Sequence, residues 1–178
     1  MRVLIVSNTH GNHKALDRVL KMAGNIDMFI HLGDVENGED YINAVVECEK
    51  HIVRGNNDIF SELPGEDEFA IGPYKAFITH GHYYYVSLST DYIEDEAVSR
   101  GADIVMFGHT HRPVLTDTGT VTVLNPGSVA YPRQPGRKGS FMFLEVMEDG
   151  TAQFEQYFLE ADGTAVCHKI HRMNRSQG

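Results

Sequence analysis

Apolar runs that end in glycine or polar residues recur along the chain, and they predict an α/β fold. Apolar runs, typical of strands covered on both faces, lie at residues 3–6 and 104–107, and residues 26–32 read as a further buried strand. Apolar spacing of three and four predicts a first helix, capped by Asn12 and ended by Gly24, and a second over 38–48. With a short strand at 51–53, this alternation is the pattern of a parallel sheet.

The second half of the chain changes to hairpins. An acidic stretch, Ser61–Glu68, reads as a loop. Pairs of apolar runs separated by turn residues then predict hairpins at residues 69–79, 114–124 and 141–158. A further helix, beginning at Thr90 or Asp91 and ending at Gly101, is predicted before the strand at 103–107. Residues 171–178 read as a frayed tail.

Composition and charge narrow the class of protein. The chain has 178 residues, 42% hydrophobic and 22% charged, which fits one domain over residues 1–178. A net charge of -10 argues against a stable nucleic-acid partner or an anionic membrane, because both need a basic face. The first apolar run is too short for a signal sequence or a membrane span, so a cytoplasmic location is expected. Cys48 and Cys167 have no CxxC spacing and indicate neither disulfides nor a cysteine zinc site.

Polar residues with metal-ligating side chains follow five of the predicted strands. They are Asn8, His10, Asp34, Asn56, His80, His109 and His111. Because ligands in open α/β sheets bind at the carboxyl ends of the strands, these residues should converge at one edge. Seven nitrogen and oxygen donors at one place suggest two metal ions. The imidazole-rich mixture suits divalent Mn, Zn, Fe, Co or Ni better than Ca or an all-oxygen Mg site.

The motifs around these residues also occur in a known family. They read Asn8-Thr9-His10, Gly33-Asp34, Gly55-Asn56-Asn57-Asp58, His80-Gly81-His82 and Gly108-His109-Thr110-His111, followed by Asn125-Pro126-Gly127-Ser128 and Pro132-Arg133. In this order they resemble the calcineurin-like metallophosphoesterases, in particular the small YfcE-type phosphodiesterases. The resemblance implies a four-layer α/β/β/α sandwich in which two mixed sheets are flanked by helices. It also implies a binuclear metal centre.

The same resemblance implies a division of the ligands between two ions. One ion would take Asn8, His10, Asp34 and His111, and the other Asp34, Asn56, His80 and His109, with Asp34 bridging. Asn8 stands where the family has an Asp, so a negative charge is missing and the ion beside it should bind more weakly. Asn57 stands where larger members have a catalytic His, although small members commonly lack it. The acid that protonates the leaving group stays open, with His82 and His13 as candidates.

Two bound metals would support the hydrolysis of a small phosphoester, most readily a phosphodiester. Such a pair, with manganese as the favoured metal, lowers the pKa of a bridging water and clamps the phosphate oxygens for attack by the bridging hydroxide. Asp58 is expected to orient ligands. Arg133 could bind a substrate phosphate bidentately, although a solvent-facing loop arginine is an equal reading.

An alternative from another class stays open. The missing charge at Asn8 would also fit a catalytically impaired scaffold, as in the retromer subunit of this fold, which serves as a protein-interaction module. Retention of the six other ligands favours an enzyme. A nuclease is disfavoured by the acidic net charge. Homo-oligomerisation is left open, and the histidines outside the motifs, His31, His51, His168 and His171, are expected to be structural.

Overall fold

A computed structural model describes residues 1–174, which form two mixed sheets. In chain order the strands are β1 (Arg2–Val6), β2 (Met28–His31), β3 (Glu49–Ile52), β4 (Glu66–Ile71), β5 (Tyr74–Thr79), β6 (Ile104–Met106), β7 (Val114–Asp117), β8 (Thr122–Asn125), β9 (Ser140–Val146), β10 (Ala152–Leu159) and β11 (Ala165–Met173). The six-stranded sheet has the order β11-β10-β9-β1-β2-β3, and the five-stranded sheet the order β4-β5-β6-β8-β7. Within them β1, β2 and β3 run parallel, as do β5, β6 and β8.

Helices cover the outer face of each sheet. They are α1 (His13–Ala23), α2 (Glu39–Val45) and α3 (Asp91–Ser99), and a short 3-10 helix covers His82–Tyr84. Leu16 and Val19 of α1 are buried in one cluster with Phe29 of β2, whereas Ile93 of α3 is buried with Phe77 of β5. A third cluster lies between the two sheets. The predicted four-layer α/β/β/α sandwich is therefore confirmed. Among the described residues, none of the helices combines the length and apolarity needed to cross a bilayer.

Two predicted boundaries in the first half are wrong. The second helix ends at Val45 rather than at residue 48, and β3 begins at Glu49 rather than at residue 51. Val46 is already extended, with φ -111° and ψ 113°. Valine loses side-chain freedom in a helix and favours extended backbone, so the apolar spacing alone overextends the helix.

The acidic stretch before the first hairpin is also not all loop. Residues 66–68 belong to the edge strand β4, because their carboxylates find partners on neighbouring elements. Arg100 lies 2.8 Å from Glu66 and 3.0 Å from Glu68, and His51 lies 2.7 Å from Asp67. Charged side chains on an edge strand also discourage pairing with another chain.

The predicted frayed tail is wrong for residues 171–173, which belong to β11. This strand pairs antiparallel with β10, and Arg172 donates a hydrogen bond to Gln153 over 2.6 Å. Val166 and Ile170 are each more than half exposed, so β11 lacks the alternating apolar pattern that reveals a strand. Residues 175–178 of the predicted tail lie outside the described residues.

Candidate metal centre

The polar residues gathered at the predicted edge follow the parallel strands of both sheets. Asn8 and His10 follow β1, Asp34 follows β2, Asn56 follows β3, His80 follows β5, and His109 and His111 follow β6. Backbone hydrogen bonds tie neighbouring turns together: His10 donates to Asp34 over 2.9 Å, and Gly108 donates to His80 over 3.1 Å. The turns of the two sheets meet where Nδ1 of His80 donates to the carbonyl of Leu32 over 2.6 Å, so together they form one rim.

His10, Asp34 and His111 form the first group of donor atoms. Nε2 of His10 lies 3.3 Å from Nε2 of His111 and 3.7 Å from Oδ2 of Asp34. One donor atom from each of the three lies within 4.8 Å of the others. Asp34 and His111 are buried, and His10 is half-buried. This spacing can hold a divalent ion.

Asn56, His80 and His109 form the second group. Oδ1 of Asn56 lies 3.1 Å from Nε2 of His80 and 2.9 Å from Nδ1 of His109. Nε2 of His80 is also 3.5 Å from Oδ2 of Asp34. The Asp34 carboxylate therefore lies between the two groups, where a bridging ligand would have to be.

Asn8 borders the first group through the turn of Asp34, since its backbone N–H donates to Gly33 over 3.0 Å. Its side-chain Nδ2 donates to Oγ of Ser7 over 2.9 Å and to the carbonyl of Gly127 over 3.0 Å. The carbonyl can only accept, which fixes the orientation of the amide. Oδ1 is buried without a hydrogen-bond partner in residues 1–174. An unpaired buried acceptor costs about 1–3 kcal/mol, and a cation would offset that cost.

Hydrogen bonds at the far side of three imidazoles set their orientation. Nδ1 of His80 donates to the Leu32 carbonyl over 2.6 Å, and Nδ1 of His111 donates to the Tyr131 carbonyl over 2.7 Å. Nδ1 of His10 bonds the Glu36 carboxylate over 2.6 Å. With Nδ1 protonated, each Nε2 presents a lone pair. This is how metal-ligating histidines are ordinarily held.

The protonation states suit metal binding at neutral pH. Burial lowers the pKa of His111 to about 4, with the positive charge of Arg133 acting in the same direction. Burial and His80 also lower the pKa of His109. For Asp34, burial raises the pKa, but the contact with His80 and the hydrogen bonds from Asn57 outweigh it and hold the pKa below its usual range. Ligation requires neutral imidazoles and an ionised carboxylate, and these shifts favour those states at His109, His111 and Asp34.

Backbone strain is concentrated at the same positions. Five of the seven residues have left-handed φ values: 54° at Asn8, 46° at His10, 58° at Asp34, 61° at His109 and 58° at His111. Such conformations cost about 1–3 kcal/mol each and cluster at functional sites. The turns are also closely packed, because a Cβ at Gly55 would overlap the Asp34 carboxylate and one at Gly108 would overlap Oγ of Ser7.

Asp58 connects two of these turns. Its buried carboxylate accepts backbone hydrogen bonds from Gly55 and Glu36, both over 2.7 Å, and from Val35 over 3.2 Å. It thereby joins the turn that carries Asp34 to the turn that carries Asn56. The structure places Asp58 where it orients ligand-bearing turns, with its oxygens directed at the backbone.

The other predicted catalytic residues lie in different places. His82 lies beside the second group, with its ring centroid 5.5 Å from that of His80 and 6.2 Å from that of His109. Arg133 is exposed and lines a cleft with His10 and His111. His13 instead stacks on Tyr41 of α2, with 4.0 Å between centroids, and has no hydrogen bond to either group within residues 1–174.

Sequence reasoning missed two residues that support the centre. Glu36 orients His10, as described above, and its position two residues after Asp34 was the available signal. Asn57, read only as a missing histidine, donates from its backbone N–H to Oδ1 of Asp34 over 3.0 Å and from Nδ2 to Oδ2 over 2.8 Å. By contrast His31 is structural, as expected: it is buried and bonded to Thr9 over 2.9 Å.

Comparison with known proteins decides the family. A profile described as the calcineurin-like phosphoesterase superfamily domain matches residues 1–149. The chain belongs to this superfamily. A probable metallophosphoesterase, YsnB of Bacillus subtilis, is 31% identical over 150 residues, which cover 84% of this chain and 86% of YsnB. Phosphodiesterase YfcE of Escherichia coli is 28% identical over 169 residues, covering 82% of this chain and 88% of YfcE.

Solved structures share the superfamily fold. A single-mutant Vps29 from Entamoeba histolytica matches with a TM-score of 0.81 and 25% identity, covering 98% of this chain and 100% of that one. Wild-type Vps29 of the same organism, solved in complex with zinc, matches with a TM-score of 0.75 and 25% identity, covering 97% and 98%. This phosphoesterase-family chain thus resembles both named phosphodiesterases and Vps29.

Proposed function

We propose that the chain is a metal-dependent phosphoesterase that hydrolyses small phosphodiesters at a binuclear centre. One observation carries this proposal: Nε2 of His10 and Nε2 of His80 lie 3.7 and 3.5 Å from the Asp34 carboxylate, and a donor atom of His111 lies within 4.8 Å of it. The names of the relatives support the class of reaction, since YsnB is called a probable metallophosphoesterase and YfcE a phosphodiesterase.

The proposed ligand sets follow the two groups. The first ion would be held by Asn8, His10, Asp34 and His111, and the second by Asp34, Asn56, His80 and His109. We propose manganese, with zinc, iron, cobalt and nickel as alternatives, because imidazole and mixed oxygen donors suit these metals. The zinc complex of Vps29 supports a transition metal in this fold.

Divalent ions at this centre would supply a water of lowered pKa and electrostatic stabilisation of the phosphate oxygens. The chain's own residues have distinct proposed roles. Asp58 and Asn57 hold the Asp34 turn, and Glu36 orients His10. Arg133, whose charge acts on both His109 and His111, would bind the ester phosphate. His82, with a buried Nδ1 that has no partner in residues 1–174, is the proposed proton donor to the leaving group.

A scaffold is the second candidate function, favoured by the likeness to Vps29 and by exposed aromatic residues beside the centre. Tyr83 is 71% exposed, and Tyr85 and Tyr92, with centroids 6.1 Å apart, are 63% and 66% exposed. An exposed apolar patch can mark an interaction surface. The relatives named metallophosphoesterase and phosphodiesterase favour the enzyme, and the hydrolysis assay below separates the two candidates.

Hydrolysis of bis-p-nitrophenyl phosphate tests the proposal. Protein treated with a chelator and reloaded with manganese should hydrolyse it, and Asp34→Asn should abolish the activity. His168→Asn, at an exposed position on β11, is the matched control and should keep it. Absence of hydrolysis with each of the five metals would reject the enzyme and favour the scaffold. A parallel assay with p-nitrophenyl phosphate separates diester from monoester hydrolysis.

A further inference from the structure

A cleft of about 770 Å³ opens from the first group of donor atoms. Its lining consists of His10, His111, Arg112, Ala130, Tyr131, Pro132, Arg133 and Arg137. Two of these are proposed ligands, three are arginines, and none carries a carboxylate. A ligand in this cleft would therefore lie among three arginines and next to two of the proposed ligands.

These arginines are uncompensated in an acidic protein of net charge -10. Within residues 1–174 the side chains of Arg112, Arg133 and Arg137 have neither an ion pair nor a hydrogen bond. Arg100, by comparison, contacts three carboxylates, and Lys138 lies 2.6 Å from Glu160. A cleft lined by charges of one sign concentrates ligands of the opposite sign.

The backbone holds the arginines at the cleft. Arg112 directly follows His111, and the N–H of Arg133 donates to the His111 carbonyl over 3.0 Å. The N–H of Arg137 donates to Gln134 over 3.0 Å, and Arg137 has the strained φ of 46°. A second cleft, of about 600 Å³, shares Arg137 and is lined also by Lys14, Arg18 and Lys138. Lys138 of this second cleft is paired with Glu160, which also lines it, so the unpaired arginines are concentrated in the first cleft.

Arg133 is the arginine proposed above to bind the ester phosphate, and its backbone N–H donates to the carbonyl of His111 over 3.0 Å. Arg112 and Arg137 are the other two arginines that line the cleft. A phosphodiester carries a single negative charge, which two divalent ions and Arg133 would already more than offset. The ester phosphate therefore does not need Arg112 and Arg137, and these two arginines are available for another anionic group of the substrate.

Building on the proposed phosphoesterase function, we propose that the substrate carries a second phosphate group, bound by Arg112 and Arg137. The planar guanidinium matches phosphate oxygens with paired hydrogen bonds, so two arginines suit a phosphate dianion. The substrate class is then a phosphodiester with an additional terminal phosphate, and that phosphate lies in the cleft while the ester phosphate lies at the centre.

Calorimetric binding of two nucleotides to the manganese-loaded protein tests this inference. Thymidine 3′,5′-bisphosphate should bind at least about tenfold more tightly than thymidine 5′-monophosphate, the gain expected from charge-assisted hydrogen bonds. Arg112→Gln and Arg137→Gln should each reduce this ratio several-fold. Lys21→Gln, which removes an exposed positive charge on α1, should leave the ratio unchanged and controls for net charge. If Arg137→Gln does not fold, Arg112→Gln alone provides the test.

Equal affinities for the two nucleotides, or an unchanged ratio in Arg112→Gln, would overturn the second-phosphate inference. Turnover of the p-nitrophenyl ester of thymidine 5′-monophosphate, measured on the same samples, reports the phosphoesterase function separately. A strong preference for the bisphosphate without turnover in any metal would reject the phosphoesterase function and support the second-phosphate site. Turnover with equal affinities would support the phosphoesterase function and reject the second-phosphate site.

Discussion

The side-chain amide of Asn8 donates a hydrogen bond to the carbonyl oxygen of Gly127, with 3.0 Å between the two atoms. The neighbouring carbonyl therefore suits the amide of an asparagine, which can donate, better than a carboxylate, which can only accept. An aspartate at this position would place a carboxylate oxygen against a carbonyl oxygen, although its other oxygen would bring the missing charge to the proposed first ion. These two effects act on different states of the protein and can be measured separately.

We predict that Asn8→Asp raises manganese affinity and turnover but lowers the stability of the metal-free protein by about 1–3 kcal/mol, the cost of an unpaired buried acceptor. Urea unfolding with chelator and with manganese would show the changes in stability and in manganese affinity, and hydrolysis of bis-p-nitrophenyl phosphate would show the change in turnover. Asn25→Asp, at an exposed position, is the control for the added charge. Unchanged manganese affinity in Asn8→Asp would mean that this side chain does not face an ion.

Glu36→Gln should weaken the first proposed ion. The Glu36 carboxylate bonds Nδ1 of His10 over 2.6 Å, and removing its charge makes the imidazole a poorer donor. Loss of such a partner typically costs 10–100-fold in metal affinity, so we expect about a tenfold rise in the manganese Kd. Competition with a fluorescent chelator measures it. Glu62→Gln, an exposed charge change, should leave the Kd unchanged. Equal Kd values in the two variants would refute the role of Glu36.

Asp58→Asn should destabilise the fold and the centre together. The carboxylate accepts three backbone hydrogen bonds, and an amide can accept them only at one of its two ends. Hydrogen bonds to a charged group contribute about 1.5–3 kcal/mol, so a loss of about 2 kcal/mol in the free energy of unfolding is expected. Manganese affinity should fall as well, because the turns of Asp34 and Asn56 lose their connection. Asp95→Asn, on the exposed side of α3, is the control, and equal stability of both variants would contradict the account.

His31 should make the metal-free protein sensitive to acid. Burial lowers its pKa from 6.5 to about 4. Below pH 6.5 the unfolded chain therefore binds a proton that the folded chain does not, and the free energy of unfolding falls as the pH drops towards 4. At 1.36 kcal/mol per pKa unit the loss from this residue is about 3 kcal/mol.

His31→Gln should remove the part of that pH dependence that comes from His31, because glutamine does not titrate. The part that comes from His111, whose pKa burial also lowers to about 4, should remain. Urea unfolding from pH 7.5 to 4.5 in the presence of chelator would measure the slope, with the exposed His168→Gln as a control that keeps it. A slope identical in wild type and His31→Gln would show that His31 is not the group responsible.

Much of the fold could be predicted because buried parallel strands are continuous apolar runs that end in polar turns. β1, β2 and β6 follow this rule, and the residues after them converge as expected. β11 could not be predicted, because an exposed edge strand has no alternation to reveal it. The acidic part of β4 could not be predicted either, because the residues that pair with its carboxylates, Arg100 and His51, lie on other elements.

The candidate site, like the fold, could be predicted only in part from the sequence. The proposed metal ligands are indicated by their residue type and by their position after a strand, so the motifs were enough to propose them. Glu36 and Asn57 act through turn geometry, including a left-handed Glu36 with φ 49°, which no spacing rule describes. Arg112 and Arg137 lie 25 positions apart in sequence, and only the folded rim brings them to one cleft.

The number of manganese ions bound per chain tests the central claim most directly. Equilibrium dialysis followed by elemental analysis should give two ions per wild-type chain. Asp34→Asn removes the proposed bridging carboxylate, so it should retain less than one. One ion or none in the wild type at saturating manganese, or an unchanged count in Asp34→Asn, would contradict the binuclear centre.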